Sequence, residues 1–102
     1  ADVNSLYNNE NATKVRQMWS KGYTGAGVDV ALIDSGVAPV AGMNDPGKVI
    51  NGPDLTEESQ NSSTRYLDTY GHGTHMAGII AGHDSGIVTK SAALNTTACA
   101  RP

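Results

Sequence analysis

The sequence predicts an α/β chain, and three observations carry that expectation. Val28-Asp29-Val30-Ala31-Leu32-Ile33 is rich in β-branched residues and apolar on both faces beyond Asp29. Such runs suit a parallel strand covered on both sides. Upstream, Val15, Met18 and Trp19 recur at i, i+3 and i+4, one face of a helix. Downstream, His75, Met76, Ile79 and Ile80 follow His72 at +3, +4, +7 and +8, a second and mostly apolar helical stripe.

Composition bounds what the chain can be. At 102 residues it is at most one small domain. Leu, Ile, Val and Phe supply only 18 of those residues, and the net charge is −3, so composition decides neither for a packed core nor for disorder. The acidic balance argues against a nucleic-acid partner, which needs clustered cations to neutralise phosphates. No apolar run approaches the ~20 residues that cross a bilayer as a helix, so no membrane span is expected. A single cysteine, Cys99, excludes an internal disulfide and a multi-cysteine zinc site.

Taken in order, residues 1–10 are polar and Asn-rich and read as a loose lead-in. Asn11 is a plausible N-cap for a helix over 11–20 packed through Trp19, with Lys21 and Gly22 as its stop signals. The run Gly22-Tyr23-Thr24-Gly25-Ala26-Gly27 is a turn. It lacks the Lys-Ser/Thr of a phosphate-binding loop and leads into a strand, not a helix. The strand over 28–33 ends in Asp34-Ser35-Gly36. An acidic residue at the carboxyl end of a parallel strand is either a site residue or the start of a turn, and the two readings stay level at this point. Residues 37–70 are broken repeatedly by Pro and Gly; Val49-Ile50 offers a very short strand, and the polar stretch 56–64 reads as a mobile surface loop. The final helix begins at His72, where the positive end of the backbone dipole disfavours an imidazolium unless a carboxylate stands beside it. Small residues at Ala77, Gly78 and Ala81 allow a close neighbour.

The wording around the two polar positions resembles a known family. Val30-Ala31-Leu32-Ile33-Asp34-Ser35-Gly36 resembles the aspartate motif of subtilisin-like serine proteases, and His72-Gly73-Thr74-His75-Met76-Ala77-Gly78 resembles their histidine motif, with Met where Val is commoner. The order Asp before His is that of subtilisin. The resemblance covers roughly residues 10–82, and residues 11–82 are expected to be the N-terminal part of a subtilisin-like peptidase domain, an incomplete piece of a three-layer α/β fold built on a parallel sheet. It implies serine-type endopeptidase chemistry on polypeptide substrates. Asp34 would orient His72 and stabilise its imidazolium, and His72 would act as general base and then general acid. His75 would be a hydrogen-bonded core histidine. No cofactor is implied; structural calcium occurs in the family, and Asp45, Asp54 and Asp68 are available carboxylates without a matching motif. Family members are usually secreted, which gives a secreted or cell-envelope expectation.

Two features depart from the family pattern. No Gly-Thr-Ser occurs in the 102 residues, so the nucleophilic serine is not among them. The isolated chain is therefore expected to be inactive, since losing one triad member costs on the order of 10⁴–10⁶-fold. Residues 83–102 form an atypical tail, read as truncation or a frameshift. One strand and two helices also leave sheet edges uncovered. Two other readings compete with the enzyme. One is a metal site from His72, His75 and Asp68 or from His83-Asp84. The other is a non-catalytic module that binds or complements a larger partner. The sequons at Asn11, Asn61 and Asn95 are explained by composition alone.

Overall fold

The computed structural model of the chain describes residues 5–83. The tail from residue 84, with Asp84, Asn95 and Cys99, lies outside the described residues, as do residues 1–4. Among the described residues three helices form: α1 over Leu6–Thr13, α2 over Val15–Ser20 and α3 over His72–Ala81. A 3-10 turn over Glu57–Gln60 lies in the long connection between α2 and α3.

The N-terminal helix is longer and more broken than its pattern suggested. It starts at Leu6, inside the stretch expected to be loose, and Asn11 sits in the last turn of α1, not at an N-cap. Lys14 takes a left-handed conformation at φ 59° and separates α1 from α2. A charge clasp holds the two helices together. Arg16 donates from Nε and Nη2 to one Glu10 carboxylate oxygen, at 3.0 and 2.8 Å. Its guanidinium also lies 4.5 Å from the centre of the Tyr7 ring. The carboxylate is buried, so the paired cation offsets the cost of taking it out of water. The stop signal acts as its residues suggest. Gly22, at φ 88°, donates to the Trp19 carbonyl, and Tyr23 donates to that of Met18. This is the glycine-closed end that satisfies a helix's last carbonyls.

The expected strand is not formed among the described residues. Residues 28–33 have no ladder partner among the described residues, and Val28, Val30 and Ile33 are 70%, 60% and 98% exposed. Val49-Ile50 likewise forms no strand. The physical reason is that a strand is defined by its neighbour: β-branched residues favour the extended backbone, but the ladder needs a second segment to accept and donate. None of the described segments takes that place.

The stretch 56–64, expected to be mobile, is folded onto itself. Asp54 accepts from the backbone and hydroxyl of Thr56 at 2.9 and 2.7 Å. Asn61 does the same for Ser63, and the Thr64 hydroxyl reaches the Glu58 carbonyl. These short polar side chains replace the missing apolar core with local turns. Buried apolar side chains are correspondingly few, Met43 and Ala77 among the described residues.

Helix α3 is clamped at both ends. At its C-terminal end Lys48 donates to the Ala81 carbonyl at 3.0 Å, a cation on an orphan acceptor, and His83 donates to the Gly42 carbonyl at 3.0 Å. Its N-terminal end meets the segment that follows residue 33, and there the polar groups converge.

Candidate functional site: an aspartate–histidine pair at a helix start

The turn after residue 33 and the first turn of α3 touch without room for a side chain between them. Gly73 is buried, and a Cβ placed on it would collide with the backbone carbonyl oxygen of Gly36. Gly36 itself has φ 120°, a conformation that favours glycine. Two glycines, one on each element, therefore set the distance across which Asp34 and His72 face one another.

His72 Nδ1 lies 2.9 Å from both oxygens of Asp34. Asp34 Oδ1 also accepts the Ser35 backbone N–H at 2.7 Å. That backbone bond, and then the bond to His72, hold the Asp34 carboxyl below the usual carboxylate range. An ionised carboxylate only accepts, so the shared proton belongs to Nδ1 and the neutral ring keeps its lone pair on Nε2. The ring is half-exposed while the carboxylate side chain is 17% exposed. The arrangement leaves a histidine with one nitrogen fixed from behind and the other available to a proton donor, which is the geometry of a general base.

A third group, not singled out for this role by the sequence, organises the surroundings. Asp68 accepts four hydrogen bonds. Its Oδ1 takes the Ser35 hydroxyl at 2.8 Å and the Gly71 N–H at 2.7 Å. Its Oδ2 takes the Thr74 N–H at 2.7 Å and the Thr74 hydroxyl at 2.6 Å. The Ser35 hydroxyl in turn accepts the Gly73 N–H at 2.9 Å, and Thr74 Oγ1 accepts the Ala38 N–H at 2.9 Å. Burial alone would raise the Asp68 carboxyl, but the bonds from Thr74, Gly71 and Ser35 outweigh it and hold it well below the usual range. A signal for this residue exists. The N-cap of α3 is Gly71, which has no side chain to offer, so the first-turn N–H groups must find acceptors elsewhere.

The same geometry bears on the metal reading. The Asp68 oxygens are taken up by four donors, and no group of three or more His, Cys, Asp or Glu side chains suited to a metal occurs among the described residues. Asp54 is likewise engaged, by Thr56 and the Tyr66 N–H. His75 is not a core histidine: it is exposed, as are Ile79 and Ile80 beside it on α3. The buried side of α3 runs through Gly73 and Ala77, and at Gly73 the Gly36 backbone leaves no room for a side chain. Gly78, by contrast, has open space where a Cβ would stand.

Residues 25–98 match the family model described as the subtilase family, Peptidase_S8. The chain belongs to the subtilase family. That match brackets both Asp34 and His72 and continues past Gly82, into the tail. Among curated relatives, the chain is 34% identical over 84 residues to the major intracellular serine protease of Bacillus subtilis, covering 82% of this chain and 26% of that protein. It is 40% identical over 73 residues to the minor extracellular protease Epr of the same organism, covering 72% of this chain and 10% of that protein. Bovine furin is 35% identical over 71 residues, 66% of this chain and 9% of furin. The subtilase chain described here thus spans between about a tenth and a quarter of the length of these relatives. No solved structure matches it. Family membership implies an α/β fold, of which the described residues hold helical elements and no strand. The relatives include proteins named as intracellular and as extracellular, so membership does not set a compartment. No helix among the described residues is long and apolar enough to cross a membrane.

Proposed function

We propose that this chain carries the aspartate and histidine of a serine endopeptidase, with Asp34 as the orienting carboxylate and His72 as the general base. The observation that supports this reading best is the contact of His72 Nδ1 with both Asp34 oxygens at 2.9 Å, made across a glycine-to-glycine approach. In this reading Nε2 takes the proton of a serine hydroxyl as the hydroxyl attacks a peptide carbonyl. The imidazolium formed is stabilised by Asp34, and the proton then passes to the leaving amine. The substrate is a polypeptide. The Ser35 hydroxyl is not the nucleophile: it is committed to Asp68 and to the Gly73 N–H. The attacking serine comes from outside these 102 residues, which contain no Gly-Thr-Ser. On their own the 102 residues are accordingly expected to be inactive, and secretion, as for the relative named as extracellular, is the localisation we favour.

The test is fluorophosphonate labelling of the complete product of the gene, with the labelled residue mapped by mass spectrometry. The expected result is a serine in a Gly-Thr-Ser context, with labelling abolished by His72→Ala and slowed on the order of 10⁴-fold by Asp34→Asn, the loss that follows when an orienting aspartate becomes an asparagine. A complete product that remains unlabelled overturns the enzyme reading and leaves a module that binds or complements a partner.

A further inference from the structure

Asp68 makes no hydrogen bond to His72 or Asp34, yet it bonds to both elements that carry them, through Ser35 on one side and Gly71 and Thr74 on the other. The ring of His72 projects from the first residue of α3, so its position depends on where that helix begins. The helix start is held by the Gly71 and Thr74 N–H groups on Asp68 and by the Gly73 N–H on Ser35 Oγ. Asp34 is the residue next to Ser35, and the Ser35 hydroxyl is itself bound to Asp68. One carboxylate thus grips the two elements that carry the pair. Its two oxygens divide the work: Oδ1 spans Ser35 and Gly71, and Oδ2 holds Thr74, whose hydroxyl also receives the Ala38 N–H from the far side of the same turn.

We propose that Asp68 is a positioning residue for the Asp34–His72 pair, acting through Ser35 and Thr74 to set the register between the turn at 34–38 and the start of α3. The proposal rests on the reading of Asp34 and His72 given above and adds a group to it. A charged acceptor is suited to the task, because hydrogen bonds to an ionised group are shorter and about twice as strong as neutral ones. Its four donors converge on one side chain, so the network has one arrangement. A neutral amide in its place presents N–H₂ where an acceptor is required and breaks at least one of the two pairs of bonds. The contact across the glycines then loses its lock, and an error of ~1 Å between a base and its orienting carboxylate is enough to cost on the order of 10²-fold in catalysis.

The test reads the pair directly and needs no peptidase activity. In the protein labelled with ¹⁵N at histidine, the proton on His72 Nδ1 held by a carboxylate gives a downfield resonance, assigned by its loss in Asp34→Asn. The expected result is that Asp68→Asn and Thr74→Val each abolish or broaden that resonance, whereas Thr74→Ser, which keeps the hydroxyl, retains it. Asp54→Asn breaks a comparable set of turn bonds away from the pair and is expected to leave the signal intact. A resonance unchanged in folded Asp68→Asn or Thr74→Val overturns the positioning role. If Asp68→Asn does not fold, the Thr74→Val and Thr74→Ser comparison decides alone. Loss in Asp54→Asn as well reduces Asp68 to a general stabiliser. Absence of an Asp34-dependent resonance in the unaltered protein overturns the pairing itself. Failure of the endopeptidase reading would show elsewhere, as an unlabelled gene product with the resonance intact.

Discussion

Residues 28–33 and 34–38 are adjacent along the chain and could hardly be treated more differently by the fold. The first half is apolar, lacks a ladder partner among the described residues, and leaves Ile33 98% exposed. The second half is polar and small, and it is tied to α3 and Asp68 by Ser35, Gly36 and Ala38. The difference lies in what each kind of residue needs. A β-branched run gains stability by burial against whole neighbouring elements, which demands many residues from elsewhere. A hydroxyl or carboxylate needs only one or two donors at the right distance, and Asp68 and the first turn of α3 provide them. A chain segment can therefore assemble a precise polar contact while its apolar half waits for partners.

The comparison can be broken most severely at the glycine contact. Gly73→Val puts a branched side chain where even a Cβ would collide with the Gly36 backbone, and is expected to cost about 3 kcal/mol. Denaturant unfolding followed by the loss of α3 helicity checks this; an unchanged midpoint would mean that the approach is looser than described. Ser35→Ala removes a hydroxyl that donates once and accepts once, leaving the Gly73 N–H and one Asp68 lone pair unanswered. A loss of about 1–2 kcal/mol is expected.

Acidification acts on the same contact. Asp34 and Asp68 both have carboxyls lowered in the folded state, so their contribution to stability is present above the ordinary carboxylate value of about 4 and is lost as pH falls below it toward the folded values. The denaturation midpoint should be lower at pH 3 than at pH 6. The difference should shrink in Asp68→Asn; a pH-independent midpoint would exclude the two carboxylates from the stabilising contact.

Gly78 gives the opposite sign from Gly73 on the same helix. With open space at its Cα, Gly78→Ala should stabilise by up to about 1 kcal/mol through helix propensity alone. A destabilising result would reveal an element packed on that face. The smallest effect is expected in the apolar half: Ile33→Thr should change the stability of the 102-residue chain by no more than about 0.5 kcal/mol. A larger loss would show that residue 33 is buried by a partner.

Much of the site was legible because its parts are local. His72 opens a helix whose stripe repeats at 3, 4, 7 and 8, and the helix ends where that repeat ends. Asp34 precedes Ser-Gly at the close of an apolar run, a place where a chain turns. The stop at Lys21-Gly22 is equally local, since a left-handed glycine closes the last turn without help from elsewhere. Helix α1 was missed because Glu10 and Arg16 stabilise it by a pair six residues apart across a break, which no single helical period reveals. His75 was misplaced for a different reason: a helical stripe says which residues share a face, not whether anything covers it.

Residue types and periods alone supply the chemistry on offer: a carboxylate at the end of an apolar run and an imidazole at the first residue of a helix. Only the tertiary structure decided that both Asp34 oxygens face His72 Nδ1, that Asp68 is the acceptor shared by the two elements, and that residues 28–33 stay unpaired among the described residues. Residue type and period are properties of a segment, whereas a hydrogen-bond partner or a covering surface belongs to a second segment whose distance along the chain places no limit on its distance in space.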